Sequence, residues 1–373
     1  MPVGNSQNIF IRLLSGIVFI SNLVAIALLF SAFLSWNVSP LRTNIFQFTG
    51  LGFGVILAVN VAFLLFWIIV TKWRFVIVSL LALVICYKPI LTFFPLNFFS
   101  RDVPENTIKV LSYNVHGFLT DRSEQGGARP TLEYIAALDA DIVLLQEFFV
   151  NRQSQSTFSQ EEIHTFLHQY PYYVVTELGG STSHHVIGLA IFSKFPIEET
   201  HQIALESSFN GAVVHTININ GKRVTVVNVH LESNRITAAD RQLYADFFQT
   251  DTVGFEMIAQ NIRARLGVAF RTRAQQVEKI RTFIDAKDTD GVIIAGDFND
   301  TPISYTYARM RRGLLDAFTA TGIGPGITYN EDFFLFRIDY ILHSRNFRAY
   351  GTRVDRVYYS DHYPIFTHLR FRE

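Results

Sequence analysis

Several apolar runs of this chain stop on residues that can do chemistry. "LSYN" ends on Asn114, "IVLLQE" on Glu147 and "VVNVH" on His230, while "IIAGDFN" delivers Asp297 and Asn299. A fifth group, "SDH", sets Asp361 and His362 just before the last apolar run. Side chains alternate along a strand, so Asp297 and Asn299 are expected on one side and Phe298 on the other. Amides, carboxylates and imidazoles collected at strand ends are how a rigid scaffold builds a site, because the loops beyond leave room for substrate. Each residue also has a plainer reading. Asn114 could serve a turn, His230 could be a satisfied core histidine, and Asp361 with His362 could cap a turn before Pro364. Glu147 resists such a reading, since a carboxylate between "IVLLQ" and two Phe is costly unless it is paired or held on a metal. Their joint occurrence in one chain argues for a shared site.

The elements that must position these groups can be read from hydrophobic periodicity. "IKVLSYNV", "DIVLLQEFF", "HVIGLAIFS", "GAVVHTININ" and "KRVTVVNVHL" read as strands, and "TLEYIAALDA" and "RTRAQQVEKIRTFIDA" carry apolar residues at helical spacing. Asn220 and Gly221 join two of the strands as a tight hairpin turn. "RIDYILHS", "YGTRVDRVYY" and "HYPIFTHLRF" supply the last strands. Hairpins mixed with helix-connected strands over residues 108–373 predict one α/β (α+β) domain, a four-layer sandwich of two packed mixed β-sheets flanked by helices. No internal repeat or low-complexity tract interrupts it.

Upstream the composition changes. Of 373 residues 49% are hydrophobic and 17% charged, yet residues 1–100 hold no Asp or Glu and five basic residues: Arg12, Arg42, Lys72, Arg74 and Lys88. Beyond residue 100, 27 Lys and Arg face 32 Asp and Glu, a formal net of −5. Apolar runs over 9–35, 46–70 and 75–98 each reach the ~20 residues that span a bilayer as a helix. A cleavable signal would account for the first run alone, and buried globular helices are rarely so free of charge three times over. The sequence therefore predicts a membrane anchor over 1–100 with three transmembrane α-helices, then a linker over 101–107. Lys72 and Arg74 in the hinge "TKWR" place that hinge in the cytoplasm by the positive-inside rule, which puts the downstream domain on the extracytoplasmic face. Cys86 is the single cysteine, so an intramolecular disulfide and a thiolate metal cluster are both excluded.

"LSYNVHGF", "DIVLLQE", "GLAIFSKFPI", "VTVVNVHLES", "IIAGDFNDTP", "RIDYILHS" and "YSDHYPIF" resemble, in order, the motifs of the endonuclease/exonuclease/phosphatase (DNase I-like) superfamily. The resemblance covers about residues 106–372. It implies a metal-dependent phosphoester hydrolase using Mg²⁺, with Mn²⁺ as the alternative. Hydrolysis of this kind needs a hard cation on the phosphate, an activated water in line, and donors for the developing charge. Glu147 would be the principal ligand, with Asn114 beside the metal and Asp361 on the metal side. By the same resemblance Asp297 would orient or deprotonate the water, and Asn299 would donate to the phosphate. His362 would contact the phosphate, with Asp339 fixing its tautomer, and His230 would bind phosphate or act on the leaving group. The pattern departs at His116, where apurinic endonucleases carry an Asp. His184 and His185 read as surface or strand-edge residues.

The partners expected are the lipid bilayer and a phosphoester. Nucleic acid is disfavoured by the slightly acidic domain, whose one basic stretch, Arg263, Arg265, Arg271 and Arg273, also reads as the solvated face of a helix. The segment 234–269 is long enough to form a lid or a membrane-touching flap. Three functions stay open: a membrane-anchored phosphodiesterase or phosphatase acting on a small or lipid-linked substrate, an extracytoplasmic nuclease, and a catalytically idle scaffold.

Overall fold

The computed structural model describes residues 4–98, 102–118, 129–151, 159–234, 252–331 and 334–372. Its strands are Ile108–Asn114 (β1), Ile142–Asn151 (β2), Tyr172–Glu177 (β3), His185–Ser193 (β4), Ile197–Ile203 (β5), Gly211–Ile219 (β6) and Lys222–His230 (β7). Gly291–Asp297 (β8), Leu315–Asp316 (β9), Tyr329–Glu331 (β10), Phe334–Phe336 (β11), Asp339–His343 (β12), Phe347–Val354 (β13) and Ile365–Phe371 (β14) complete them. Two six-stranded sheets result, ordered β13-β14-β1-β2-β4-β3 and β5-β6-β7-β8-β12-β9. β1 with β2 and β7 with β8 are parallel, and the other pairs within these sheets are antiparallel.

Alternation decides the layers. Val110, Leu144, Ile191, Val226, Ile293 and Ile341 point between the sheets. The neighbours Leu111, Val143 and Leu145 face outward to Leu132 and Ile135 of α6 (Arg129–Leu138) and Ile163 of α7 (Gln160–Phe166). On the far side Val227, Val229 and Ile294 pack on Val277 and Ile280 of α8 (Thr252–Asp285) and on Tyr307 of α9 (Tyr305–Met310). These are the four layers expected from the sequence. A short α10 (Ala317–Thr321) is capped by Asp316.

Four local expectations are corrected. β2 does not stop at Glu147 but continues to Asn151, through a break in register between Leu145 and Phe148. The strand expected at "YGTRVDRVYY" ends at Val354. Residues 252–269 form the first half of α8 rather than a flap, while "LYADFF" lies outside the described residues. Arg273 does not join a basic surface: it is buried against Asp300 at 3.2 Å, and Arg263, Arg265 and Arg271 are exposed.

The N-terminal region contains α1 (Gly4–Leu34), α2 (Ile45–Leu51), α3 (Phe53–Ile69), α4 (Trp73–Ile85) and α5 (Tyr87–Phe93). α1 is long and apolar enough to cross a membrane, whereas the second and third runs are each broken, by bends of 70° between α2 and α3 and 65° between α4 and α5. One to three spans result, depending on whether each bent pair counts as one. Gly52 is both the end of α2 and the start of α3. Pro89 lacks the N–H that a continuous helix would bond to Ile85, and the chain breaks at Cys86 so that Pro89 falls in the first turn of a new helix. Hydropathy sums over a run and is blind to both breaks.

These helices are seated on the domain. Ser35 donates to the carbonyl of Ile303 (2.8 Å), the Trp36 indole donates to that of Pro302 (2.8 Å), and the Tyr305 N–H donates to the Gln47 side chain (3.1 Å). Gly50 is required here, because a Cβ on it would lie 2.1 Å from the Ile303 oxygen. Phe48 packs edge-on against Phe270 of α8 at 5.3 Å.

Candidate active site

Asp297 lies at the centre of the convergence. It ends β8, and the registers place His230 of β7 beside it on one side and Asp339 of β12 on the other. Gly296 permits this crowding: a Cβ there would sit 1.9 Å from the Val229 carbonyl oxygen. Asn299 lies just past the strand at φ 53°, a left-handed conformation uncommon for a side-chain-bearing residue. Its N–H donates to Asp297 Oδ1 (2.7 Å), and its amide donates to Asp297 Oδ2 (3.2 Å) and to the Leu231 carbonyl (2.9 Å). Asn299 therefore holds Asp297, while Phe298 turns into the core beneath α8.

Across the sandwich, β1 and β2 present Asn114 and Glu147. The Asn114 amide donates to Glu147 Oε1 (3.0 Å) and to Asp297 Oδ2 (3.1 Å), tying the two sheets together through their functional groups. Glu147 reaches the site because the break in β2 sets it at φ 50°, and backbone held in this region is a mark of functional positions. Gln146 beside it is buried and donates to Asn228 of β7 (2.8 Å), whose amide donates to the Leu145 and Ala190 carbonyls. Sequence reasoning passed over this pair. Its signal was a polar residue inside each of two otherwise apolar strands, "LLQE" and "VVNVH".

His362 lies between two carboxylates, with Nδ1 2.9 Å from Asp339 Oδ2 and Nε2 3.7 Å from Asp297 Oδ2. Burial opposes a charge on its ring, but Asp339 and Asp297 prevail and raise its pKa well above the ordinary value. Asp297 is raised to about 6, first by burial and then by Asp339. His230 is buried with neither ring nitrogen in a hydrogen bond among the described residues, and its Nε2 points toward Glu147 Oε1 at 3.4 Å. Asp361 turns to the rim, where it meets His116 Nδ1 at 3.1 Å. That hydrogen bond raises the pKa of His116; burial would raise Asp361, but His116 and the nearby His362 hold it below the carboxylate range. Ser360, also passed over, donates to the Asn114 carbonyl (2.8 Å) and so fixes this loop to β1.

A model of the endonuclease/exonuclease/phosphatase family matches residues 111–362, from β1 to His362. The chain belongs to that family. A second model, a domain of unknown function (DUF8431), matches residues 15–93. Among solved structures the chain is similar to an endonuclease/exonuclease/phosphatase from Beutenbergia cavernae DSM 12333, with 17% identity, TM-score 0.50, and 71% of this chain and 72% of that one covered. It is also similar to a family protein from Leptotrichia buccalis C-1013-b (17% identity, TM-score 0.48, 71% and 100% covered) and to humanized D. rerio TDP2 (18%, 0.47, 71% and 99%). No curated protein matches the chain.

Members of the endonuclease/exonuclease/phosphatase family hydrolyse phosphoesters and are generally dependent on divalent metals. The donors present fit a hard cation. Glu147, half-exposed, and His230 line a cleft of 660 Å³ together with His116, Phe209 and Glu232. Asp297, Asp339 and His362 also bring ligand atoms within 4.8 Å of one another. Here, however, Nδ1 of His362 already engages Asp339 Oδ2, and the burial of all three leaves little room for the waters that Mg²⁺ retains. The open side at Glu147 suits such an ion better.

Proposed function

We propose that this chain is a membrane-embedded, Mg²⁺-dependent phosphodiesterase or phosphatase whose substrate is lipid-linked or otherwise presented at the bilayer. The observation that carries this reading is the loop after Asn299. Pro302, Ile303 and Tyr305 hydrogen-bond to Trp36, Ser35 and Gln47, at the end of α1 and in α2. Four residues separate Asn299 from Ile303, a chain reach of at most about 14 Å. The site thus lies close to the end of the helices, at the height where headgroup phosphates would sit. With Lys72 and Arg74 between α3 and α4 on the cytoplasmic side, this end and the domain are extracytoplasmic. The helices of residues 1–100 and the domain of 108–373 act as one body.

Glu147 would carry the cation, with Asn114 holding Glu147 and Asp297 in place and Asp361 contributing from the rim. Bound there, a divalent cation would neutralise charge on the phosphoryl oxygens. Asp297, raised toward neutrality, accepts the proton of the attacking water, and Asn299, which donates to both of its oxygens, holds the carboxylate in place. His362, kept protonated and oriented by Asp339, donates to a phosphoryl oxygen. His230, with neither ring nitrogen in a hydrogen bond among the described residues, faces the leaving group from the cleft.

The test uses the full chain in lipid–detergent micelles with Mg²⁺ and, in parallel, an aryl phosphodiester, a phosphate monoester, sphingomyelin and DNA. Hydrolysis of a small or lipid phosphoester, lost in Glu147→Ala and Asp297→Ala, is the expected result. DNA as the preferred substrate would favour the nuclease reading. Wild type as inactive as the variants on all four would refute catalysis.

A further inference from the structure

Two segments of chain leave the site side by side, and one helix holds both. β7 ends on His230 and continues through Leu231 to Glu232, while β8 ends on Asp297 and continues through Asn299 to Asp300. The ladder between them closes where the Leu231 N–H donates to the Asp297 carbonyl (3.0 Å). Beyond that rung Arg273 of α8 spans the gap. Its Nε donates to Asp300 Oδ2 (3.2 Å), and its Nη1 donates to the Glu232 carbonyl (2.8 Å) and to Asn234 Oδ1 (2.9 Å). Gln276, on the same helix face one turn later, accepts from the Glu232 N–H (2.9 Å). Both backbone polar groups of Glu232 are thus bound to α8, and its side chain lines the cleft that contains Glu147 and His230.

Packing alone does not ask for an arginine here. The side chain is fully buried, and replacing a buried ion pair by apolar groups of similar volume is often neutral or stabilising. What a guanidinium supplies is geometry. It is planar and its donors leave in fixed directions, so the groups that bind Nε and Nη1 are held at a set separation. Asp300 directly follows Asn299, which holds Asp297, and Glu232 lies two residues past His230. Fixing Asp300 against Glu232 therefore fixes the water-activating side of the site against the leaving-group side. The guanidinium in turn lies over the Phe270 ring at 5.3 Å, the ring on which Phe48 of α2 packs.

We propose that Arg273 is a positioning residue that sets His230 relative to Asp297 by clamping the exits of β7 and β8 together. This role rests on the catalytic reading above. In that reading the water oxygen bonds to phosphorus as the bond to the leaving oxygen breaks; Asp297 takes a proton from the water and His230 gives one to the departing oxygen. Arg273 stands behind Glu232 rather than in the cleft wall, so it acts only through the residues it holds. A poor leaving group needs that proton as it departs, and misplacement of the donor by about 1 Å can cost about 10²-fold. A good leaving group departs as the anion and feels the displacement least.

The test uses the full chain in lipid–detergent micelles with Mg²⁺ and two diesters that differ in the leaving group, methyl p-nitrophenyl phosphate and methyl phenyl phosphate. Arg273→Lys keeps a charge opposite Asp300 but loses the fixed fork of donors. It is expected to lower kcat on the phenyl ester by about 10²-fold and on the nitrophenyl ester by no more than about tenfold, with KM on both near wild type. Gln276→Met, which releases only the Glu232 N–H at nearly constant volume, should show the same bias at smaller size. That second variant decides the matter if Arg273→Lys does not fold, and an absence of bias in it would overturn the clamp. An equal loss on both esters would assign Arg273 to stability, since fewer folded molecules lower every rate alike. Wild-type kinetics in Arg273→Lys would show that Asp300 needs a charge rather than a geometry, and would overturn the clamp as well. Wild type inactive on both esters would remove the catalytic reading and this role with it, whereas a wild type that hydrolyses both, with variants that lose them equally, refutes this role alone.

Discussion

The helical region and the catalytic domain bury polar groups for opposite ends. Between the helices, buried polar residues pair with neutral partners: the Asn22 carbonyl oxygen accepts from the Trp67 indole (3.0 Å) and from Ser79 (2.8 Å), and the Asn60 amide donates to the Ala25 carbonyl (3.0 Å). Such pairs satisfy hydrogen bonds at little cost and serve packing. In the domain several buried groups at the sheet ends are ionisable: Asp297 faces Asp339 across β8 and β12 with His362 between them, and neither ring nitrogen of His230 is in a hydrogen bond among the described residues. Burial of that kind is expensive and survives where chemistry requires it. The loop Asp300–Tyr305, which begins directly after Asn299, is one place where the two regimes touch.

The largest effect should come from the domain's side of that boundary. Asp297→Asn keeps the shape and the hydrogen bond from Asn299 but removes the proton acceptor, so turnover is expected to fall by roughly 10³-fold, within the range of lost general-base catalysis. Because burial and Asp339 both disfavour the Asp297 carboxylate, the same variant should melt no lower than wild type. Loss of activity together with loss of fold would instead assign Asp297 to structure. The two measurements needed are kcat on an aryl phosphodiester and the melting midpoint.

A smaller effect tests whether the regions are separable. Gln47→Ala removes the acceptor for the Tyr305 N–H and the donor to the Ser35 and Val38 carbonyls (each 3.2 Å). Leaving these groups unpaired should cost about 1–3 kcal/mol of stability. If the helices position the loop beyond Asn299, kcat on a soluble phosphodiester should also fall several-fold with KM unchanged, and Gln47→Glu, which keeps the acceptor, should recover part of it. An unchanged kcat in a destabilised Gln47→Ala protein would show that the helices only tether the domain.

How much of this was legible in the sequence follows the same divide. The central strands of the two sheets were readable as apolar runs while the edge strands β3, β5 and β9 were not, and Asn114, Asp297, His230 and His362 were readable because each ends or adjoins a strand where a polar residue breaks the pattern. Glu147 was legible as a residue but not in its setting, since a break in strand register leaves no mark on hydropathy. Gln146 and Asn228 were missed because each looks like a flaw in its own strand and makes sense only when the two sheets face each other. In the helices the reverse held. Apolar runs announced themselves, but the bends at Gly52 and Pro89, and the seating of Gly50 on Ile303, depend on single residues within runs that hydropathy treats as uniform.

An effect on stability alone, with none on turnover, separates the regions by pH. Residues 1–98 contain no Asp, Glu or His, so acid destabilisation should originate in the domain. His215 of β6 is buried, its Nδ1 3.0 Å from the Thr200 hydroxyl, and burial lowers its pKa from an ordinary 6.5 to about 4. Below pH 6.5 the unfolded chain takes up a proton there that the folded chain refuses, so the contribution of this group is intact above pH 6.5 and is lost as pH falls toward 4, by about 3 kcal/mol at most. Asp297 acts in the opposite sense. Raised from 3.8 to about 6, it binds its proton more readily when folded, so its contribution grows as pH falls through that window and obscures the histidine in the wild-type curve. The difference between wild type and His215→Gln in denaturant midpoints isolates it: the variant should be less stable at pH 7.5, where packing is lost, and should draw level with or overtake wild type by pH 4.5. A difference that stays constant across that range would mean that His215 becomes protonated without unfolding, and that the acid sensitivity of the domain lies elsewhere.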